Sequence, residues 1–297
     1  MEQRPSREHF LVETSWLAEH LQDPDIRIVD MRGYVRTVTD DQATGHQVAH
    51  YVGAPEEYQQ GHIPGAIYID WTRDIVNLAD PVEAQIATPE QFVEAMQRVG
   101  IGDQHLVVAY DSHPASQFAT RLWWALYYYG HTRVVVLNGG IPKWVREQRP
   151  LTQAVPAFAP AIFTPRVQPQ WRATAEDVLS GLKQPGITLL DARDSGQYTG
   201  AIARSEGRRG HIPGALSLPR EQLINPADGT FRSDDDLKQV FDQAHVTPDK
   251  HVIAYCNGGV AATTVLFSLA MLGYPQLTNY DGSWNEWGSR EDLPVEQ

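Results

Sequence analysis

Cys256 is the chain's one cysteine, and it stands where a nucleophile could act. It ends an apolar run, His251 to Tyr255, that reads as a buried strand. Asn257-Gly258-Gly259-Val260-Ala261 follows. Ala261 to Leu272 is apolar nearly all round, the pattern of a buried helix. In an open α/β sheet, ligands bind beyond the carboxyl ends of the strands. A glycine-containing turn from strand to helix can aim several backbone N–H groups at one point, with the helix N-terminus behind them. The six residues Cys256 to Ala261 therefore read as a cradle for anionic sulfur, and such a cradle favours the nucleophilic thiolate. The reading calls for no cofactor and no metal. One cysteine excludes an intramolecular disulfide and a Cys-rich zinc site.

An anionic substrate needs local positive charge, because Lys and Arg number 24 against 37 Asp and Glu, a net charge of −13. Arg193, Arg204, Arg208 and Arg209 lie close together in sequence, with Asp194 and Glu206 among them. They read as an anion funnel at the mouth of the site. Arg193 follows a strand-end acid, Asp191, as Arg32 follows Asp30, which also suits an internal salt bridge.

The elements that must position these residues occur twice. Gly61-His62-Ile63-Pro64-Gly65-Ala66-Ile67 returns as Gly210-His211-Ile212-Pro213-Gly214-Ala215-Leu216. Val29-Asp30-Met31-Arg32 pairs with Leu190-Asp191-Ala192-Arg193. Val107 to Asp111 pairs with Val252 to Cys256, and Leu137 to Trp144 with Tyr280 to Trp287. Matches in one order at so long a period mean a duplicated domain, not a solenoid. The 297 residues suit two domains. We place them at 1–150 and 169–297, with a proline-rich linker at 151–168. Asp111 takes the place of Cys256 in the first copy. Thr88-Pro89-Glu90-Gln91, Thr174-Ala175-Glu176-Asp177 and Ser233-Asp234-Asp235-Asp236 are helix starts. Strands alternating with helices predict two small α/β domains, each a parallel sheet flanked by helices.

These segments together resemble the tandem-domain rhodanese family of sulfurtransferases. The likeness rests on both Gly-His-Ile-Pro-Gly-Ala turns, Asp191-Ala192-Arg193, the Cys256 loop and Asp281-Gly282-Ser283-Trp284. The resemblance implies an inactive first domain and a catalytic second one. It implies that Cys256 takes sulfane sulfur from thiosulfate or 3-mercaptopyruvate as a persulfide. Cyanide, a thiol or a thioredoxin-like protein would then accept the sulfur. It implies that Asn257, Gly258, Gly259, Val260 and Ala261 hold the sulfur and that Arg204 binds substrate. Gln197, before Tyr198, stands where the family carries its other substrate arginine. Asn257 and Gly258 are neutral, where thiosulfate-preferring members carry basic residues and mercaptopyruvate-preferring ones carry a serine.

Two other readings compete. One is a non-catalytic rhodanese-fold protein that binds a ligand or senses persulfide or redox state. The other is a Cys-dependent phosphatase, whose longer loop would end in arginine; none occurs between Cys256 and Asn285. His62 and His211, present in both copies, read as turn residues. Trp123 and Trp124 read as core and domain interface, and Trp284 and Trp287 as core and interdomain packing. The Asp30-to-Gly61 stretch is 12 residues longer than Asp191-to-Gly210, and this insert, Tyr34–Ala54, is a candidate cover for the interdomain cleft. The acidic balance disfavours nucleic acid as a partner. No apolar run approaches a membrane span, and the N-terminal residues form no signal-like apolar core. A reducing, cytoplasmic setting is expected.

Overall fold

The computed structural model describes residues 7–39, 47–203 and 208–297. In the first half the strands are β1 (Leu11–Val12), β2 (Ile26–Asp30), β3 (Gly33–Thr39), β4 (Gln47–Gly53), β5 (Ala66–Tyr68), β6 (Leu106–Tyr110) and β7 (Val134–Leu137). In the second half they are β8 (Arg172–Ala173), β9 (Ile187–Asp191), β10 (Leu216–Ser217), β11 (His251–Tyr255) and β12 (Leu277–Tyr280). One parallel sheet runs β1-β7-β6-β2-β5 and the other β8-β12-β11-β9-β10. The orders coincide when each strand is exchanged for its repeat partner, so the duplicated sequence is a duplicated sheet. The two domains are α/β, as the alternation of elements predicts.

The helices of the first half are α1 (Thr14–Glu19), α2 (Pro55–Gln60), α3 (Pro89–Arg98), α4 (Gln117–Tyr128) and α5 (Gly140–Arg146). Those of the second are α6 (Ala175–Gly181), α7 (Ser195–Tyr198), α8 (Asp234–Gln243), α9 (Ala262–Met271) and α10 (Ser283–Trp287). The caps sit where the sequence places them. Thr88 and Gln91 form a capping box on α3, Thr174 and Asp177 on α6, and Ser233 accepts the Asp236 N–H of α8.

Each Gly-His-Ile-Pro-Gly turn is fastened in the same way. His62 Nδ1 meets the Tyr58 carbonyl at 2.8 Å and its ring stacks on Tyr58 at 3.9 Å. His211 Nδ1 meets the Tyr198 carbonyl at 2.9 Å and stacks on Tyr198 at 3.8 Å. Arg32 pairs with Asp30 at 2.7 Å and donates to the Gly61 carbonyl. Arg193 pairs with Asp191 at 2.6 Å and donates to the Gly210 carbonyl. Each arginine thus ties a strand end to the turn before the next strand. Residues 151–168 form no helix, but they are strapped to the first domain. Asp103 N–H donates to Ile162 and Arg166 N–H to Tyr129, while Phe163 is buried against Phe92.

The domains meet along α4 and α9, the helices that follow Asp111 and Cys256. Thr120 Oγ1 and Thr263 Oγ1 lie 2.9 Å apart, and Trp123 packs edge-on to Phe267 at 5.1 Å. One apolar cluster runs through both helices without a break. Trp284 and Trp287 belong elsewhere: they pack with Tyr255, Tyr280 and Ile212 within the second domain, which corrects the interdomain role expected for them. These side chains sit on α10, on the far side of the second sheet from α9.

A buried ion pair crosses the junction. Arg121 of α4 reaches Asp281, after β12, at 2.6 Å, with side chains 1% and 0% exposed. Asp281 also accepts the Ile86 N–H at 2.9 Å and lies 3.3 Å from Arg172. Removing one partner of such a pair strands the other charge in the interior. Asp281→Asn is therefore expected to lower unfolding stability by about 3–5 kcal/mol. Urea unfolding monitored by tryptophan fluorescence measures it; a loss within error of zero would show that the pair carries no such burden.

Candidate active site

The Cys256 loop is held by its carbonyls. Trp284 N–H donates to the Cys256 carbonyl at 3.0 Å, and Asn285 N–H to the Asn257 carbonyl at 2.8 Å. The Gly259 carbonyl accepts from Asn279 Nδ2 at 2.9 Å and from Arg121 Nη1 at 3.2 Å. The Val260 and Ala261 carbonyls accept the Thr263 and Thr264 N–H groups of α9. A peptide unit is planar and trans, so each N–H points opposite to the carbonyl before it. The N–H groups of Asn257, Gly258, Val260, Ala261 and Ala262 are thereby turned away from the packed interior. None of these five has an acceptor among the described residues.

The sequence reading assigned all six loop amides, Cys256 to Ala261, to the sulfur. Two serve another purpose. Cys256 N–H and Gly259 N–H donate to Ser283 Oγ, at 3.1 and 3.0 Å, and the hydroxyl donates to the Tyr280 carbonyl at 2.7 Å. Ser283 thus uses its donor and both acceptor sites on the loop's frame. Gly259 has φ +68°, and a Cβ there would lie 2.8 Å from the Asp281 carbonyl oxygen. Both its conformation and its neighbour require glycine.

The first domain carries out an internal control on this geometry. Ile141 N–H donates to the Asp111 carbonyl at 3.1 Å, as Trp284 does to Cys256. Asp111, however, folds its carboxyl group back onto its own loop and helix. Oδ1 accepts the His113 N–H at 2.9 Å, and Oδ2 accepts the Phe118 and Ala119 N–H groups at 2.8 Å. Here the side chain itself fills the helix N-terminus. Burial pushes Asp111 up to about 7 against the pull of these amides.

Cys256 is buried but lines a cavity of about 300 Å³ at the domain junction. Asn257, Gly258, Val260 and Ala261 line it with Cys256. The long first-domain insert forms the antiparallel hairpin β3–β4, and Tyr34, Val35, Thr37, Gln47 and Tyr51 close one side of the cavity. Gln47 N–H donates to the Ala203 carbonyl of the second domain at 3.0 Å. Asn285 Nδ2 donates to the Tyr51 hydroxyl at 3.0 Å. The insert therefore covers the junction directly over the Cys256 loop.

A family model, the rhodanese-like domain, matches this chain twice, at residues 13–147 and 174–290. The chain belongs to the rhodanese family. It is 36% identical to the sulfur carrier protein TtuD of Thermus thermophilus, over 96% of this chain and 95% of that one. It is 34% identical to the 3-mercaptopyruvate sulfurtransferase of Escherichia coli, over 97% and 98%. The crystal structure of SseA from Escherichia coli, a 3-mercaptopyruvate sulfotransferase, superposes with TM-score 0.79 and 31% identity. It covers 93% of this chain and 98% of its own.

Within the rhodanese frame the expected anion funnel is largely absent. Arg193 lines the cavity, yet its guanidinium is committed to Asp191 and Gly210 and lies over the Trp284 ring at 4.3 Å. Arg208 donates to the Trp287, Arg290 and Leu293 carbonyls and fastens the C-terminal stretch. Arg209 donates to the Gly200 and Ala201 carbonyls. Neither lines the cavity, because each guanidinium is spent on backbone carbonyls elsewhere. Arg204 lies outside the described residues. Gln197 does reach the site, where its Oε1 accepts from Asn257 Nδ2 at 2.9 Å. Sequence reasoning missed Arg121, Ser283, Tyr51 and Arg220. Ser283 had a visible signal in the Asp281-Gly282-Ser283-Trp284 segment, and Tyr51 in the insert read as a cover for the cleft.

Two measurements follow from this geometry. The folded state holds Asp111 near 7, while the unfolded chain returns it to about 4. Its stabilising contribution is full below pH 4 and is lost as pH rises to 7. The stability gap between wild type and Asp111→Asn is expected to narrow over that range in urea titrations; a constant gap would contradict the raised value. Replacing Tyr34–Val52 by a short turn should open the cavity and raise donor KM severalfold. Unchanged kinetics would show that the hairpin does not shape the site.

Proposed function

We propose that Cys256 carries sulfur in a two-step transfer and that the chain works as a tandem-domain sulfurtransferase. Residues 1–150 form the non-catalytic domain with Asp111 at the cysteine position, 151–168 the linker, and 169–297 the catalytic domain. The observation that carries the reading is the set of five amides, Asn257, Gly258, Val260, Ala261 and Ala262, that have no acceptor among the described residues and stand beside the cavity lined by Cys256.

In the first step the Cys256 thiolate attacks the outer sulfur of the donor. With thiosulfate the S–S bond breaks and sulfite leaves with the electron pair. With 3-mercaptopyruvate the C–S bond breaks, and the enolate left behind takes a proton to become pyruvate. Cys256 then bears a persulfide, whose outer sulfur is anionic. Fixed amides stabilise that charge without reorganising, as an oxyanion hole does for oxygen. In the second step cyanide or a thiol takes the outer sulfur and returns the Cys256 thiolate. A thioredoxin-like protein would serve as a thiol acceptor, and a reducing cytoplasm keeps the nucleophile free.

The test is direct. Incubation with a sulfane donor should leave the protein heavier by one sulfur atom, and cyanide should remove it. Cys256→Ser should abolish loading and lower turnover by at least a thousandfold. Turnover by the serine variant at the wild-type rate would refute the mechanism. Loading without turnover by any common acceptor would instead favour a persulfide-sensing role.

A further inference from the structure

Two residues that line the cavity around Cys256, Arg220 and Asn257, each keep a buried polar atom, Nε and Oδ1, without a hydrogen-bond partner among the described residues. Buried polar groups are nearly always paired, so an unpaired guanidinium nitrogen beside a cavity shows an arginine whose hydrogen-bonding capacity the described residues do not use up. Arg220 begins the 3-10 turn Arg220–Leu223, just after β10. Among the described residues its salt-bridge partner is Glu221 at 3.0 Å, whose side chain is 55% exposed. Arg220 itself is 20% exposed, and a pair whose carboxylate stands in solvent contributes little to hold the guanidinium.

The charges facing the cavity are few. Arg193 is neutralised by Asp191. Asp194 accepts the Gln197 N–H and caps α7. His113 enters from the first domain; burial, and then the charge of Arg220, push it down to about 3, so it is neutral. Gln197 and Asn257 hold each other and are neutral. Arg220 is thus the cation among the described lining residues whose charge is not already matched inside the cavity.

We propose that Arg220 is the donor-binding residue of this site and receives the carboxylate of a small mercapto-carboxylate donor. A guanidinium takes a carboxylate through paired N–H donors. Among the described lining residues the cations are Arg193, already paired with Asp191, and Arg220, against the capping carboxylate of Asp194, and so little positive charge suits a carboxylate better than the dianionic thiosulfate. The proposal rests on Cys256 as the reacting sulfur and refines the choice of donor.

Two readouts separate it from the sulfur-transfer reading. Alkylation of Cys256 by iodoacetate, which carries a carboxylate, is compared with alkylation by neutral iodoacetamide. In Arg220→Met the iodoacetate rate should fall about tenfold or more, the scale of one charge-assisted hydrogen bond. The iodoacetamide rate should stay near wild type. Arg220→Lys, which keeps the charge, should lie between them, and Arg220→Gln should follow Met. In steady-state assays KM for 3-mercaptopyruvate should rise by the same factor in Arg220→Met, with kcat moving less. The preference for 3-mercaptopyruvate over thiosulfate should shrink. A merely structural arginine would slow both alkylating reagents alike. An iodoacetate-to-iodoacetamide ratio equal in wild type and both neutral variants would overturn the assignment, whether or not the protein transfers sulfur.

Discussion

The site depends on where five peptide planes point. The sequence Asn257 to Ala262 contributes no charged side chain. Its capacity to hold an anion comes from backbone N–H groups, and these are aimed by what their partner carbonyls bind. Trp284 and Asn285 pull two carbonyls toward α10, Asn279 and Arg121 pull a third, and the first turn of α9 takes two more. Rotating any of these planes would break a buried hydrogen bond and leave a polar group unsatisfied, at roughly 1–3 kcal/mol each. The cradle is therefore rigid before substrate arrives. A preorganised dipole set loses nothing to reorganisation when charge develops on the sulfur.

The duplicated frame shows what one residue decides. Both domains place a strand end, a loop and a buried helix in the same order, and both anchor the loop's first carbonyl on the following helix. In the first domain Asp111 is long enough to turn back and fill its own helix N-terminus. In the second, the matching Thr263 and Thr264 N–H groups bond to the Val260 and Ala261 carbonyls, and five neighbouring amides are left without an acceptor among the described residues. The first domain has become support. It sends Arg121 to the Gly259 carbonyl and to Asp281, and it sends the β3–β4 hairpin over the cavity. A cysteine loop supported from a second domain couples interface stability to the geometry of that loop.

Much of this was legible in the sequence for local reasons. A repeated Gly-His-Ile-Pro-Gly turn, capped helix starts and a buried strand ending at Cys256 depend on neighbours within a few residues, and the structure places them where the pattern does. The helix after Cys256 begins one residue later than read, at Ala262. Long-range roles were not legible. Arg121 sits on a helix that reads as core, and only packing of α4 on α9 brings it to Gly259. Arg208 looked like funnel charge because charge density is visible in sequence, whereas the carbonyls it serves are 79–85 residues away. Arg220 drew no notice because it lies outside the arginine cluster and enters the cavity through a turn after an edge strand.

The same contrast bears on how a protein of net charge −13 accommodates anions. Surface charges act over about 8–10 Å at physiological salt before screening removes them. The acidic exterior therefore has limited reach into a cavity buried at a domain junction. Inside, the open amides of the Cys256 loop can face negative charge without a counter-ion, and the strand-end arginine is already neutralised. A cavity built in this way discriminates by where charge is placed more than by how much there is. Dipoles serve the reacting sulfur, and a separate cation serves the remainder of the donor. Adding cations beside Cys256 would strengthen anion binding generally but would also hold the product anion, slowing its release. Asn257 and Gly258 bring no such cation to the loop, which leaves anion recognition there to the backbone.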